Sequence, residues 1–215
     1  MYVASGTRPD IMFAVSKLSR FLSCYREAHW QAAIRVVRYL KGTCDLELQL
    51  GGSSSTLSLI GYCDSDYAND PGHDGQRSVA GYCFSLGSGV VSWSSMKQKT
   101  LADSTCAAKY MSASEAGREL VWLHTLLGEL GFGSTLPPPL LCDNSAAVVL
   151  CGDQVFHNWV KHIDVKYHWI RECVDNGELI VGRIPSSGNI ADILTKALPG
   201  PAFASLRGCL GLHQH

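Results

Sequence analysis

Acidic side chains stand where predicted secondary-structure elements begin or end. Asp64 and Asp66 close the strand-like run "TLSLIGYCDSD", and Asp143 follows the short apolar run "PPPLLC". Asp192 lies near the start of the apolar-periodic stretch "NIADILTKAL". Convergent carboxylates can hold Mg²⁺, which takes hard oxygen ligands and leaves room for phosphate oxygens. Two such ions about 4 Å apart activate water and stabilise the leaving oxygen of a phosphodiester.

The same acids have an ordinary structural interpretation. Asp143 in "CDNS" suits a helix N-cap, and Asp64 and Asp66 suit a turn. Taken singly, each acid is more commonly structural. Taken together, acids at strand ends and at a helix start can meet in one crevice at the carboxyl ends of the strands. Their joint placement favours a metal site.

Hydrophobic period and Gly/Pro punctuation predict the elements that position these acids. Two amphipathic helices fill the first 50 residues, and "GGSSS" at 51–55 marks a linker. Three strand-like runs follow, then a long helix over roughly 103–131 that ends at Gly131. After it come a strand, two helices, a strand and a last helix over "NIADILTKAL". This order predicts an α/β fold with a mixed five-stranded sheet covered by helices on both faces.

The charge distribution limits how the chain could bind nucleic acid. The formal net charge is −1, so binding requires a local basic patch. Arg35, Arg38 and Lys41 share one face of the second helix, which is either a solvated face or a phosphate-contacting face. On the helix alone, the solvated face is the more common interpretation.

The cysteine pattern and the hydropathy of the sequence indicate the cellular compartment of the protein. The nine cysteines form no CxxC pair, which favours reduced thiols over zinc ligands or a disulfide framework. No signal peptide and no apolar run of membrane length is evident. We therefore expect an intracellular protein of cytoplasm or nucleus that has no membrane partner.

Four stretches of the sequence closely resemble the ribonuclease H domain of copia-type LTR retrotransposon polyproteins. They are "GYCDSDYANDPGHDGQRSVAGYCFSLGSGVVSWSSMKQKTLADS", "LLCDNSAAVVL", "FHNWVKHIDVKYHWIRE" and "NIADILTKAL". The upstream "YVASGTRPDIMFAVSKLSRFLSCYREAHWQAAIRVVRYLKGT" resembles the segment that joins reverse transcriptase to that domain. The resemblance implies a ribonuclease H-like fold and Mg²⁺-dependent hydrolysis of the RNA strand of an RNA/DNA hybrid, with Mn²⁺ as an alternative ion.

The resemblance also implies a division of the chain. Residues 1–50 would be a basic two-helix tail of the reverse transcriptase and 51–56 a linker. Residues 57–198 would form the ribonuclease H-like domain, and 199–215 a C-terminal tail.

Carried over by position, the resemblance makes Asp64, Asp143 and Asp192 catalytic metal ligands, with Asp66 as a less favoured neighbour of Asp64. The family pattern S-S-T-E-A-E-Y falls on residues 104–110, and there the chain departs from it. Ala107 stands where we expect the metal-binding glutamate, and Lys109 stands at the next glutamate.

The departure predicts impaired cleavage. Loss of even a group that supports a metal ligand costs about 10–100-fold in metal affinity or activity, and loss of a direct ligand should cost more. Lys109 would bring a cation near the site and weaken Mg²⁺ binding. Asp103 could act as a substitute ligand, but it lies about 6 Å from Ala107 along the helix and suits an N-cap better.

Three functions stay open on the sequence. The first is an impaired ribonuclease H-type domain that still binds an RNA/DNA hybrid or other nucleic acid. The second is an active nuclease with a substitute ligand, and the third is a non-catalytic protein, adopted by the host, that binds nucleic acid or an unidentified protein partner. For the nucleic-acid surface we expect eight residues: Arg35, Arg38, Lys41, Arg77, Ser78, Lys97, Gln98 and Asn144.

Overall fold

A five-stranded mixed sheet forms the centre of the computed structural model, which describes residues 1–51, 58–67, 77–152 and 167–214. Its strands in chain order are β2 (Leu59–Asp66), β3 (Val79–Leu86), β4 (Gly89–Lys97), β5 (Pro139–Cys142) and β6 (Ile180–Arg183), while β1 (Leu46–Leu48) lies outside this sheet. The spatial order is β4-β3-β2-β5-β6. The predicted α/β fold class, a mixed five-stranded sheet flanked by helices, is confirmed.

The first three strands of the sheet are antiparallel and the last two join it in parallel. β3 and β4 are linked by a two-residue turn in which Gly87 has φ +73°, a left-handed conformation that glycine adopts at little cost. β5 pairs in parallel with β2, and β6 pairs in parallel with β5. The carboxyl ends of β2, β5 and β6 therefore meet at one end of the sheet.

The long helix α4 (Thr105–Glu129) covers one face of the sheet. Its N-cap is Ser104, whose hydroxyl accepts from the Ala107 backbone N–H at 3.1 Å. Small and apolar side chains of α4, including Ala113, Ala116 and Leu120, bury themselves in one core with Phe84. Helices α5 (Ser145–Gly152) and α6 (Trp169–Asp175) contact α4 and complete this layer.

The second face of the sheet is covered by both ends of the chain. The N-terminal helices are α1 (Tyr2–Gly6), α2 (Met12–Ser19) and α3 (Glu27–Lys41), and the C-terminal helix is α7 (Gly200–Cys209). Their apolar side chains share a second core with strand residues such as Cys83 and Val90. β1 also pairs antiparallel with β7 (Leu212–Gln214), which joins the two ends directly.

Residues 1–50 and 199–214 thus pack on the same face of the sheet. Burial of Ala4, Ile11 and Met12 against the sheet gives the N-terminal helices a tertiary contact. The predicted linker 51–56 lies outside the described residues except for Gly51, which bridges to Gly87.

The predicted last helix over "NIADILTKAL" is wrong in type. Residues Ile190–Leu194 form a short 3₁₀ turn instead, with i→i+3 bonding such as Thr195 N–H to the Asp192 carbonyl at 3.2 Å. This segment lies against β2 and β3, where the close fit to the sheet takes precedence over a regular α-helix. Among the described residues, no helix combines the length and apolar character that crossing a bilayer needs.

Candidate active site

Asp64 and Asp143 are brought together by the parallel pairing of two strands. Cys63 of β2 pairs with Cys142 of β5, and each aspartate comes one residue later. Since parallel strands end at the same edge, this register sets the two carboxylates side by side. Asp64 is fully buried, and Asp143 is partly buried.

Asp192 joins them from the 3₁₀ turn that lies against the sheet. Asn189, itself fully buried, donates from Nδ2 to the Cys63 carbonyl at 3.0 Å and accepts from the Ala191 N–H at 3.2 Å. These two bonds hold the turn beside the end of β2. Among the described residues, Asp64, Asp143 and Asp192 form one cluster in which one carboxylate oxygen from each residue lies within 4.8 Å of the other two.

A glycine on β3 makes this close approach sterically feasible. Gly81 pairs with Asp64 across the strands. A Cβ at position 81 would lie 2.6 Å from Thr195 Cγ2 and 2.9 Å from Leu194 Cβ, which is closer than non-bonded carbons approach. The missing side chain lets the turn sit directly on the sheet, so that Thr195 reaches the carboxylate of Asp64.

Lys109 of α4 enters this cluster. Its Nζ lies 2.6 Å from Asp64 Oδ1 and also contacts Asp143 Oδ1. Only 8% of the residue is exposed to solvent. The ammonium therefore bridges the two carboxylates from a position that solvent barely reaches.

Lys196 supplies a second cation on the opposite side of Asp64. Its Nζ lies 2.9 Å from Asp192 Oδ2 and 3.5 Å from Asp64 Oδ2. The Ser186 hydroxyl donates to Asp143 Oδ2 at 3.0 Å. The cluster thus has ammonium or hydroxyl partners on all three carboxylates.

The ion pairs govern the protonation of the cluster. Burial by itself would raise the pKa of Asp64, but Lys109 and Lys196 hold that pKa below its ordinary value. Burial would lower the pKa of Lys109, yet the charges of Asp64 and Asp143 raise it well above its usual range. Lys109 is therefore a cation at any physiological pH.

Asp192 behaves in the opposite way. Burial, followed by the negative charge of Asp64, raises the pKa of Asp192 to about 6, against the pull of Lys196. The two carboxylates thus have different affinities for a proton at neutral pH. Lys196, between them, has its own pKa raised because both charges outweigh the cost of burial.

The two α4 positions at which the resemblance implies acids, 107 and 109, lie differently relative to the cluster. Ala107 is 2% exposed and belongs to the hydrophobic core, so its side chain points away from the acids. Lys109 lies two residues, about 200°, further round the helix and is the α4 side chain that reaches Asp64 and Asp143. Position 109 is therefore the one of the two from which an α4 side chain contacts the acids.

Asp103 and Asp66 lie outside the cluster of the described residues. Asp103 is exposed. The sequence predicts Asp103 as the N-cap of α4, but the N-cap is the next residue, Ser104. Asp66 is the last residue of β2 and pairs with Val79.

The carboxylates suit Mg²⁺ in chemistry, but the cluster as a whole does not fit it. Mg²⁺ binds oxygen at about 2.0–2.1 Å, so it would have to use oxygens that Lys109 already contacts. A doubly charged ion about 4 Å from the ammonium would be repelled by about 8 kcal/mol at an effective dielectric constant of about 20. Lys109 and the metal therefore compete for one position.

The residues expected to bind nucleic acid differ in how far their side chains are exposed to solvent. Arg35, Arg38 and Lys41 are exposed along α3. Arg77 and Lys97 are partly buried on either side of the β3–β4 hairpin.

The other three expected contacts have structural roles or are hidden. Ser78 and Gln98 are buried, and Gln98 Nε2 donates to the Ala108 carbonyl at 2.8 Å, so neither side chain presents a surface to a ligand. Asn144 Oδ1 accepts from the Ala147 N–H at 2.9 Å and caps α5.

The sequence analysis did not predict the side chains that form hydrogen bonds and ion pairs with the three acids or that hold the turn carrying Asp192. Lys196 follows Asp192 by four residues, a helical spacing that could have indicated their pairing. Thr195, Ser186 and Asn189 carry no such local signal, because their partners are distant in the chain.

The chain is similar to known polyproteins, although no family model matches its sequence. It is 41% identical over 215 residues, its whole length, to the Retrovirus-related Pol polyprotein from transposon TNT 1-94 of Nicotiana tabacum, of which it covers 16%. It is 42% identical over 206 residues, 96% of the chain, to the Retrovirus-related Pol polyprotein from transposon RE1 of Arabidopsis thaliana, of which it covers 14%.

A solved structure resembles the chain more distantly. The N-terminal RNase H domain of rv2228c from Mycobacterium tuberculosis, a fusion with maltose binding protein, covers 70% of this chain and 96% of that one. The two are 16% identical, and the TM-score is 0.44.

Proposed function

Because the chain belongs to the Pol polyprotein family of copia-type retrotransposons, we propose that it binds RNA/DNA hybrids through a ribonuclease H-like domain in which cleavage of the RNA strand is impaired. On this proposal residues 1–50 correspond to the end of the reverse transcriptase segment and 57–198 to the ribonuclease H-like domain. The family membership supports the ancestral activity, and the cluster at the strand ends is where that activity would take place.

One observation supports the proposal that cleavage is impaired. Three acids converge at the carboxyl ends of β2 and β5, but α4 contributes the ammonium of Lys109 instead of a fourth carboxylate. Metal-assisted hydrolysis of a phosphodiester needs ions that stabilise both the attacking and the leaving oxygen. A fixed ammonium between two of the acids opposes the binding of those ions. The substitute-ligand alternative has no support from Asp103, which is exposed and outside the cluster.

The basic face of α3 is the surface we assign to hybrid binding. Arg35, Arg38 and Lys41 are exposed and spaced to follow one side of the helix. Such cations bind phosphates and release condensed counterions, which makes affinity fall with salt. Since the whole chain has a net charge of −1, this local patch is the part that would attract a polyanion.

A protein-interaction role is the second candidate, and an apolar groove favours it. The groove lies between α2 and α3 and is lined by Leu18, Leu22, Tyr25 and Trp30, among others. Leu22 is 80% exposed, and Tyr25 is 73% exposed. Exposed apolar surface of this kind is typical of a site that contacts another protein.

Fluorescence anisotropy of a labelled RNA/DNA hybrid, measured across a KCl series, tests the first proposal. We expect log affinity to fall linearly with log salt, and replacement of Arg35, Arg38 and Lys41 by serine to weaken binding. The triple variant should also flatten the slope by about 0.7–0.9 for each phosphate that it no longer neutralises. Arg26→Ser, an exposed arginine at the other end of α3, is the matched control and should change little.

Two results would contradict the proposal. Hybrid binding that does not depend on salt or on the three basic residues would favour the protein-interaction role. Mg²⁺-dependent cleavage by the wild type, abolished by Asp143→Asn, would show that the nuclease is active.

A further inference from the structure

We infer that the ammonium of Lys109, supported by Lys196, takes the electrostatic place of a divalent ion, so that this acidic cluster is an internal ion-pair network that does not bind metal. The inference deepens the proposed function, on which it rests for the identity of the site. It concerns what neutralises the three acids in this chain, and it is independent of whether the chain binds a hybrid.

The partners of the carboxylate oxygens support this inference. Asp64 Oδ1 and Asp143 Oδ1 both receive a hydrogen bond from Lys109 Nζ. Asp64 Oδ2 accepts from the Thr195 hydroxyl, and Asp143 Oδ2 accepts from the Ser186 hydroxyl. Four of the oxygens that a metal would use are therefore already bonded to groups of the protein.

One carboxylate oxygen of Asp192 has no hydrogen-bond partner within the cluster. Its Oδ2 pairs with Lys196 at 2.9 Å, whereas its Oδ1 is buried and has no hydrogen-bond partner. A single carboxylate oxygen beside an ammonium is a poor site for Mg²⁺, which prefers near-octahedral coordination and charged oxygen ligands that are free to bind. Asp192 therefore does not restore the metal site by itself.

Charge balance leads to the same conclusion. Three carboxylates carry three negative charges when ionised, and the two lysines return two positive charges from within the cluster. A divalent ion added to this arrangement would make the local charge positive. It would also have to displace Lys109, whose side chain is only 9% exposed and pairs with both Asp64 and Asp143.

The test measures Mn²⁺ alone, without nucleic acid. Binding is followed by loss of the electron paramagnetic resonance signal of free Mn²⁺, and in parallel by the shift of the thermal unfolding midpoint. For the wild type at about 1 mM Mn²⁺ we expect neither binding at the cluster nor a shift. Lys109→Glu supplies the fourth carboxylate at the position that faces the acids, and should bind Mn²⁺ on the order of 100-fold more tightly than the wild type.

Two further variants make each outcome informative. Asp64→Asn in the Lys109→Glu background should abolish the new binding, which assigns it to this cluster. Lys99→Glu adds the same charge at an exposed lysine and should leave Mn²⁺ binding as in the wild type. If Lys109→Glu folds only when Mn²⁺ is present, that dependence is itself the expected result, and Lys109→Gln then provides a neutral variant that should still bind more tightly than the wild type.

The inference is overturned if the wild type binds Mn²⁺ and Asp143→Asn removes that binding. It is also overturned if neither Lys109→Glu nor Lys109→Gln binds more tightly than the wild type. Hybrid binding by the same proteins is scored separately: its absence counts against the proposed function, whereas Mn²⁺ binding by the wild type counts against this inference.

Discussion

Replacement of Lys109 by methionine removes the ammonium and keeps most of the volume of the side chain. Asp64 would then be fully buried with Lys196 at 3.5 Å as its nearest remaining cation, and Asp143 would keep its bond from the Ser186 hydroxyl. The free energy of unfolding should fall, because a buried carboxylate loses its main counter-charge.

The size of the loss follows from the burial of the pair. Removal of one partner from a buried ion pair typically costs about 3–5 kcal/mol, a large part of the roughly 5–15 kcal/mol that stabilises a folded protein. For a chain of this length, each kcal/mol lowers the unfolding midpoint by about 2–4 °C, so a fall of about 6–20 °C is expected.

Urea unfolding at several pH values measures this effect. In the wild type the lowered pKa of Asp64 means that its contribution is complete above its unfolded pKa and is lost as pH falls through the still lower folded pKa. Without Lys109, burial makes Asp64 take up a proton readily, so the penalty of Lys109→Met should shrink as pH falls from about 7 towards 4. The double variant Lys109→Met/Asp143→Asn should recover part of the loss, because one uncompensated charge is gone.

Lys99→Met at an exposed position is the matched control, and it should change the free energy of unfolding by no more than about 0.5 kcal/mol. A Lys109→Met loss as small as this control at neutral pH would refute the conclusion that the ammonium neutralises buried acids. A loss that is large but the same in acid and at neutral pH would attribute it to altered side-chain packing and not to charge.

Two other predictions concern the turn that carries Asp192. The pKa of Asp192, about 6, means that the folded chain binds a proton on this carboxylate more tightly than the unfolded chain does. The stability due to this proton is therefore complete below about pH 4 and is lost as pH rises through 6. Asp192→Asn should therefore be more stable than the wild type by up to about 3 kcal/mol at pH 7 and equal to it near pH 4 in urea unfolding, and a difference that does not vary with pH would contradict this. Gly81→Ala should lower the free energy of unfolding by about 1–3 kcal/mol in thermal unfolding, because its Cβ would collide with Thr195 and Leu194. Gly128→Ala, in α4 with open space around it, is the control and should be neutral or slightly stabilising. Equal effects at the two glycines would refute the close fit of the turn to β3.

Much of the fold follows from local sequence patterns. The strand-like runs predicted β2, β3 and β4, and the apolar period predicted α4. Asp64 lies near the carboxyl end of β2 and Asp143 follows β5, so their places at strand ends were enough to predict that they meet. The chain's resemblance to copia-type polyproteins added the expectation that the three acids are metal ligands.

The place of residues 1–50 could not be predicted from local pattern. An amphipathic helix shows that it has an apolar face but not which surface covers that face. The N-terminal helices lie on the second face of the sheet, and β1 pairs with β7 from the other end of the chain. Such contacts between distant segments leave no mark on either segment alone.

The sequence by itself determined that three acids converge and that α4 supplies no fourth acid. It did not determine which residue of α4 faces them, because the rotation of a helix about its axis is set by how its whole surface packs, and Ala107 and Lys109 are both buried. Only the tertiary structure decided that the Lys109 ammonium lies between Asp64 and Asp143, because that contact joins three segments that meet only in the folded chain.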